Sequence, residues 1–199
     1  MIYKHNLSSM AIDTVVKIGG GLLADPDHLT RVLDLVGAVA VHRRMVVVAG
    51  GGPFADIVRD VDRRLRLSDD AAHWMAILAM DQHAHLIASR LRESVLVESP
   101  QDITAMRQGQ VAVLTPSRWL KRTDPLPHSW DVTSDSIAAW VSRELGATRL
   151  VLIKPVGAVG PNLVDAHFAK VLASTTSWVA IPADQIDVVR SALQGDERA

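Results

Sequence analysis

Six short runs of consecutive apolar residues, most of them rich in valine and isoleucine, punctuate the chain at residues 14–18, 45–49, 94–98, 111–115, 149–153 and 177–181. A strand buried on both faces reads as such a run, because neither side of its pleat meets water. The segments between them carry helical spacing. The alternation predicts an α/β protein, a three-layer αβα sandwich around a mostly parallel central sheet.

The intervening segments have their own start signals. Asp25 before Pro26 supplies a cap and a first-turn proline for a helix running toward His42. A second helix follows Pro53 through Leu67, with Asp56, Arg59, Asp60, Asp62, Arg63, Arg64 and Arg66 spread among apolar residues, the pattern of a solvated face. The longest opens at Ser68 or Asp69 and runs to about Leu91. Ala71, Trp74, Met75, Leu78 and Leu86 lie near one side of it, and Ile77, Met80, Ala84, Ile87 and Leu91 near another. A helix apolar nearly all round is buried against more than one neighbour, in the core or in a second subunit, and predicts a homodimer or larger homo-oligomer. Residues 123–130, Thr-Asp-Pro-Leu-Pro-His-Ser-Trp, read as a mobile connection.

Two of the strand ends run into glycine triplets. Thr14-Val-Val-Lys-Ile is followed by Gly19, Gly20 and Gly21, and Met45-Val-Val-Val-Ala by Gly50, Gly51, Gly52 and Pro53. Each junction puts bare backbone N–H groups at the end of a buried strand, an arrangement that cradles anions, although glycine is also the default residue of any tight turn. Two such junctions in one βαβ-sized unit, the first carrying Lys17, favour a phosphate site over a pair of structural turns.

Bulk properties narrow the partners. The chain has 199 residues, 48% of them apolar, a formal net charge of -1 and no cysteine. That length supports one sizeable core, or at most two closely joined lobes, and the charge offers neither nucleic acid nor an anionic membrane an obvious basic surface. Without cysteine there is no disulfide, thiolate metal site or cysteine nucleophile. Residues 1–13 show no leader-type apolar stretch and no segment reaches membrane-spanning length, so a cytoplasmic protein is the default expectation.

Chemistry concentrates at few positions. Only five lysines occur, against sixteen arginines, and Lys17 and Lys154 both sit at the ends of expected strands, where open α/β sheets bind ligands. A buried ammonium calls for an anion, unless each side chain snorkels to solvent from its strand end. In Trp130-Asp-Val-Thr-Ser-Asp-Ser-Ile-Ala-Ala-Trp140 a loop feeds a helix, and Thr133, Ser134 or Asp135 can cap it. Asp135 can equally hold a lysine, while the helix N-terminus favours phosphate. His73, His83 and His85 share the long helix without an i, i+4 pair, so they read as core or interface residues and no metal site is expected. The tryptophans read mainly as packing residues, with Trp119 and Trp130 flanking the loop as walls for a small-molecule pocket. Asp56 and Arg59, a short way beyond the second triplet, could face an acceptor substrate, and as early-helix and mid-helix charges they need no function.

In their order along the chain these residues resemble the amino acid kinase superfamily, whose members include acetylglutamate, uridylate, isopentenyl phosphate and carbamate kinases. The resemblance rests on Lys17-Ile18-Gly19-Gly20, on Gly50-Gly51-Gly52, on Thr133-Ser134-Asp135-Ser136-Ile137-Ala138 opening a helix, and on Leu150-Val-Leu-Ile-Lys154-Pro-Val-Gly157. The 130–140 string and Val164-Asp165-Ala-His-Phe168 look most like a small kinase-like branch associated with furan cofactor biosynthesis.

The resemblance implies a carbamate kinase-like fold and an ATP- and Mg2+-dependent transfer to a small phosphorylated acceptor. (Aminomethyl)furanylmethyl phosphate would become its diphosphate on the way to methanofuran or a methylofuran. It implies that Lys17 stabilises the transferring phosphoryl group, that Asp135 orients Lys17, and that Lys154 contacts nucleotide phosphates. The glycines of the two triplets, with Thr133 and Ser134, would hold donor and acceptor phosphates apart but aligned. Asp56, Arg59 and Trp130 would face the acceptor. One domain is implied, its acceptor part at about residues 1–130 and a shortened nucleotide part at about 131–199. The chain departs from the family in lacking a Gly-Gly-Met-x-x-Lys segment after Lys154, and Pro53-Phe-Ala-Asp56 replaces the Asn and Arg that follow the triplet in uridylate kinases. The rival reading is a noncatalytic nucleotide- or oxyanion-binding protein, similar to molybdenum storage proteins.

Overall fold

The computed structural model of the chain describes residues 12–160 and 163–195. The expected absence of a leader concerns residues of which 1–11 lie outside that description. All six apolar runs are strands: β1 (Thr14–Ile18), β2 (Met45–Ala49), β3 (Ser94–Val97), β4 (Val111–Leu114), β5 (Arg149–Lys154) and β6 (Ser177–Pro182). They form one sheet in the order β3-β4-β2-β1-β5-β6, and every pairing is parallel. β1, β2, β4 and nearly all of β5 are buried, as strands covered on both faces must be.

Side-chain alternation divides the core in two. Val15, Val46, Val48, Leu150 and Leu152 point into one apolar layer, where they meet Ile137, Trp140 and Val141 of α6 (Ser134–Glu144). Val16, Ile18, Val47, Ala49, Val151 and Ile153 point into the other, against Leu29, Val32, Leu33 and Val36 of α1 (Pro26–Ala40) and against Val189 and Leu193 of α8 (Ile186–Gln194). Asp25 caps α1 as expected, accepting from the His28 amide at 3.2 Å. α2 (Gly52–Leu65) leads into α3 (Asp69–Arg90), which Ser68 caps by accepting from the Ala71 amide at 3.2 Å.

The all-round apolarity of α3 is largely satisfied within the chain. Ile77 and Met80 pack into the first layer, and Ala84 and Ile87 into the second, while Met75 and Leu78 remain exposed. No described helix is long and apolar enough to cross a membrane.

The segment expected as a mobile connection, residues 123–130, follows a helix and is held by side-chain contacts. Residues Ser117–Thr123 form a helix, α5, which buries Trp119 and Leu120. Trp119 lies 4.6 Å from the Trp140 ring, inside the core, and does not line the cavity at Lys17. The rest of the segment is tied down. His128 bridges Asp70 at 2.5 Å and Asp124 at 2.8 Å, Leu126 is buried, and the Trp130 indole N–H donates to Asp62 at 2.8 Å. Prolines and polar residues suggested mobility, but these contacts come from α2 and α3, which local sequence does not reveal.

The two glycine junctions touch. A Cβ on Gly20 would lie 2.1 Å from the Gly52 nitrogen, whereas one on Gly37 of α1 would meet only Leu91 Cδ1 at 3.5 Å. Gly20→Ala therefore lowers stability by about 1–3 kcal/mol, because backbone must move. Gly37→Ala raises it by about 0.5–1 kcal/mol, the ordinary helix gain. Urea denaturation of both variants checks the pair.

A second expectation concerns His128, whose two carboxylate hydrogen bonds raise its pKa above 6.5. The raised folded value means that the His128 clamp is at full strength below the unfolded value and is lost as pH rises through the folded one. Hydrogen exchange of residues 124–130, corrected for intrinsic rate, accelerates in the wild type as pH rises above the ordinary histidine value of 6.5, and this pH dependence disappears in His128→Gln.

Candidate active site

The period-2 alternation of β1 puts Lys17 on the same face as Val15, toward α6. Lys17 pairs in register with Leu152 on the neighbouring strand, so Lys154, two residues further along β5, emerges on the same face. Asp135 stands in the first turn of α6 and meets both. Its carboxylate lies 3.0 Å from the Lys17 ammonium and accepts from Lys154 at 2.8 and 2.7 Å. The three side chains are buried, with 6, 7 and 5% exposure for Lys17, Lys154 and Asp135. Neither lysine snorkels to solvent.

The two roles left open for Asp135 are divided between neighbours. Thr133 is the cap, its hydroxyl accepting weakly from the Asp135 amide at 3.4 Å, which leaves the Asp135 carboxylate to the lysines. Burial alone would raise the Asp135 pKa, but the Lys17 and Lys154 charges overcome it and hold the carboxyl below its ordinary value. Lys154 is pushed down, first by burial and then by the neighbouring Lys17 charge. Two ammonium groups thus share one carboxylate, leaving positive charge beneath the cavity.

Each glycine triplet splits into a structural and an available part. The Gly19 amide donates to the Ile153 carbonyl and the Gly50 amide to the Ile18 carbonyl, both at 2.8 Å. These two amides extend the sheet pairing and are not offered to an anion, a correction to the expected roles of Gly19 and Gly50. Gly20, Gly21, Gly51 and Gly52 line the cavity, and their N–H groups make no hydrogen bond among the described residues. Because Gly20 packs on Gly52, the two clusters form one continuous cradle.

The cavity above it measures about 260 Å³. Lys17, Thr133 and Ser134 line it beside the glycines; Asp135 and Lys154 lie beneath its surface. Asp56, Arg59 and Trp130 form its outer wall, and Ile77, Met80 and Ile137 give it an apolar side. Arg59 donates to Asp56 at 2.7 Å and stands 4.9 Å over the Trp130 ring. The α2 charges are therefore a solvated face only in part, since Asp60 pairs with Arg63 in solvent while Asp56, Arg59 and Asp62 shape the wall.

The three α3 histidines have different fates. His83 is fully buried, His85 is exposed rather than in the core, and His73 lines the cavity. Burial first, and then the charge of His128, lower the His73 pKa to about 4, so it is neutral near pH 7. His73, Asp124 and His128 lie near one another. However, both His128 nitrogens are engaged by carboxylates, and its ring stacks on His73 at 4.0 Å with a 17° tilt. Stacked rings set their in-plane lone pairs side by side, not toward one ion.

Sequence reasoning gave no role to Asp165, which organises the α6 entry. It accepts from the Thr133 amide at 2.9 Å, the Thr133 hydroxyl at 2.7 Å, the Ser136 amide at 3.0 Å and the Ser136 hydroxyl at 2.5 Å. Its position in the Val164–Phe168 segment was the only available signal. Asp62, which fixes Trp130, was hidden among the other α2 charges.

Known proteins resemble this chain in sequence and in fold. The family model described as "Amino acid kinase family" matches residues 14–170. A [5-(aminomethyl)furan-3-yl]methyl phosphate kinase of Methanocaldococcus jannaschii is 30% identical over 172 residues, covering 80% of this chain and 77% of that protein. A uridylate kinase of Methanosarcina barkeri is 26% identical over 155 residues, covering 73% of this chain and 60% of its own length. Among solved structures, uridylate kinase from Archaeoglobus fulgidus superposes with a TM-score of 0.68 at 15% identity, over 90% of this chain and 96% of that one. UMP kinase from Ureaplasma parvum gives 0.63 at 16% identity, over 92% and 96%. These structures share the three-layer fold. With its first-strand lysine, paired glycine junctions and helix-borne aspartate in this order and at this sheet edge, the chain belongs to the amino acid kinase family.

Proposed function

We propose that this protein transfers the γ-phosphoryl group of ATP to a small phosphate monoester, with (aminomethyl)furanylmethyl phosphate as the preferred acceptor and its diphosphate as product. Family membership makes the chain a small-molecule kinase. The observation carrying the phosphoryl-transfer chemistry is Lys17, held by Asp135 at the cavity floor beside four backbone amides that make no hydrogen bond among the described residues.

In this reaction an acceptor phosphate oxygen attacks the γ-phosphorus, the bond from that phosphorus to the β–γ bridging oxygen breaks, and ADP leaves. Phosphoryl transfer asks the protein chiefly for in-line positioning and neutralisation of charge on the transferring oxygens. Lys17 supplies the charge, Asp135 keeps its ammonium from wandering, and the Gly20, Gly21, Gly51 and Gly52 amides donate to phosphate oxygens. Thr133 and Ser134 border the transferring group, and ATP brings Mg2+ with it. Lys154 acts through Asp135, adding positive charge from beneath on the nucleotide side.

The acceptor reading draws on the similar kinase of M. jannaschii and on the cavity wall. Trp130 and the apolar side suit a flat ring, Arg59 suits the acceptor phosphate, and the Asp56 carboxylate suits an ammonium such as an aminomethyl group. In this assignment residues 1–130 make the acceptor part and 131–199 a shortened nucleotide part. A second copy would pack over the exposed Met75 and Leu78 of α3.

The charge arrangement separates function from folding. Lys17→Ala leaves Asp135 paired with Lys154, so turnover falls by about 10²–10³-fold while the unfolding midpoint moves little. Asp135→Ala leaves two adjacent buried ammonium groups and costs about 3–5 kcal/mol of stability. ADP release with the furan phosphate acceptor, measured beside urea denaturation, checks both. Full turnover by Lys17→Ala would remove that lysine from the mechanism.

A further inference from the structure

The cradle is held from behind by a group outside the cavity. His83 of α3 is fully buried, and its Nδ1 lies 2.5 Å from the Gly50 carbonyl oxygen. A carbonyl only accepts, so Nδ1 carries the proton. Nε2 is buried and has no partner among the described residues. Burial keeps the ring neutral against the Gly50 hydrogen bond, which opposes it, and the Lys17 charge acts in the same direction as burial.

Gly50 is a pivot. Its own amide is fixed on the Ile18 carbonyl at the end of β2, while its carbonyl belongs to the peptide unit that it shares with Gly51. The described peptide bonds are all trans, and in a trans unit the C=O and the following N–H point in opposite directions. A Gly50 carbonyl directed at His83 therefore turns the Gly51 N–H away from His83. Gly51 lines the cavity and Gly50 does not. Glycine adopts left- and right-handed conformations at similar energy, so this unit has little intrinsic preference between its two orientations. Something must choose one.

We propose that His83 is a positioning residue for phosphate binding, fixing the Gly50–Gly51 peptide plane so that the Gly51 amide faces the phosphate. The proposal rests on the phosphate-site reading above. The steric fit of Gly20 against Gly52 fixes where the two junctions lie, and His83 fixes which way the intervening amide points.

The test compares two variants of similar shape. Asn places its amide nitrogen near the position of His Nδ1, and Leu has the same branching without a donor. In His83→Leu, kcat/KM for the acceptor falls about tenfold, the scale of one lost hydrogen bond, with the KM for ATP unchanged; His83→Asn restores most of it. Equal activity of wild type, Leu and Asn variants would overturn the proposal, as would a Leu defect that Asn leaves uncorrected.

Inorganic phosphate titrated into 15N-labelled protein gives the binding readout. In the wild type the Gly51 and Gly52 amide signals shift. In His83→Leu the Gly51 shift is lost and that of Gly52 persists. Wild-type amides that ignore phosphate would sink the phosphate-site reading itself, whereas a Leu variant with an undiminished Gly51 shift would sink only the part given to His83. The imidazole 15N spectrum of the wild type needs no variant to fold. It shows a neutral ring protonated at Nδ1, and protonation at Nε2 alone would overturn the lock.

Discussion

Asp135 binds two lysines at once, and the site is arranged around that carboxylate. Both ammonium groups sit on adjacent parallel strands, on one face and two residues out of register, at distances of 2.7–3.0 Å from it. Two cations this close in a buried setting repel strongly unless an anion lies between them. The aspartate provides that anion from the first turn of α6, where a carboxylate also suits the helix dipole. One negative charge does not balance two positive ones, and the remainder suits a bound phosphate.

The fold brings the rest to the same edge by economical means. Parallel strands end together, so β1 and β2 deliver their glycines side by side, and the contact between Gly20 and Gly52 joins two turns into one surface. Two of the six triplet amides continue the sheet, and the four other glycines line the cavity. Around this cradle, three groups act at one remove: Asp165 sets the α6 entry, His83 holds the Gly50 carbonyl, and Asp62 fixes Trp130. The outer wall is built differently, from charged and aromatic side chains on α2 and the 123–130 segment.

The division between these parts also explains what the sequence made legible. Strands buried on both faces appear as unbroken apolar runs, so all six were readable, as was the α/β class. Lys17 and the glycines stood out because an ammonium and repeated glycines at strand ends are unusual in such runs. What stayed hidden depends on contacts distant in sequence. The capping role of Thr133 and the lysine-holding role of Asp135 look alike in a linear string, and only the approach of β5 separates them. α5 was short and bordered by Asp-Pro and Leu-Pro, so turn residues masked it. Asp165 and His83 had no local signature, since one is an isolated acid in an irregular segment and the other an apparent core histidine.

The most direct measurement is a crystal structure with a phosphate monoester and a non-hydrolysable ATP analogue bound together. The account predicts a phosphate oxygen within hydrogen-bond distance of Lys17 Nζ and of the Gly51 or Gly52 amide, with Asp135 still between the two lysines. Phosphates bound elsewhere, with Lys17 contacting Asp135 alone, would contradict it.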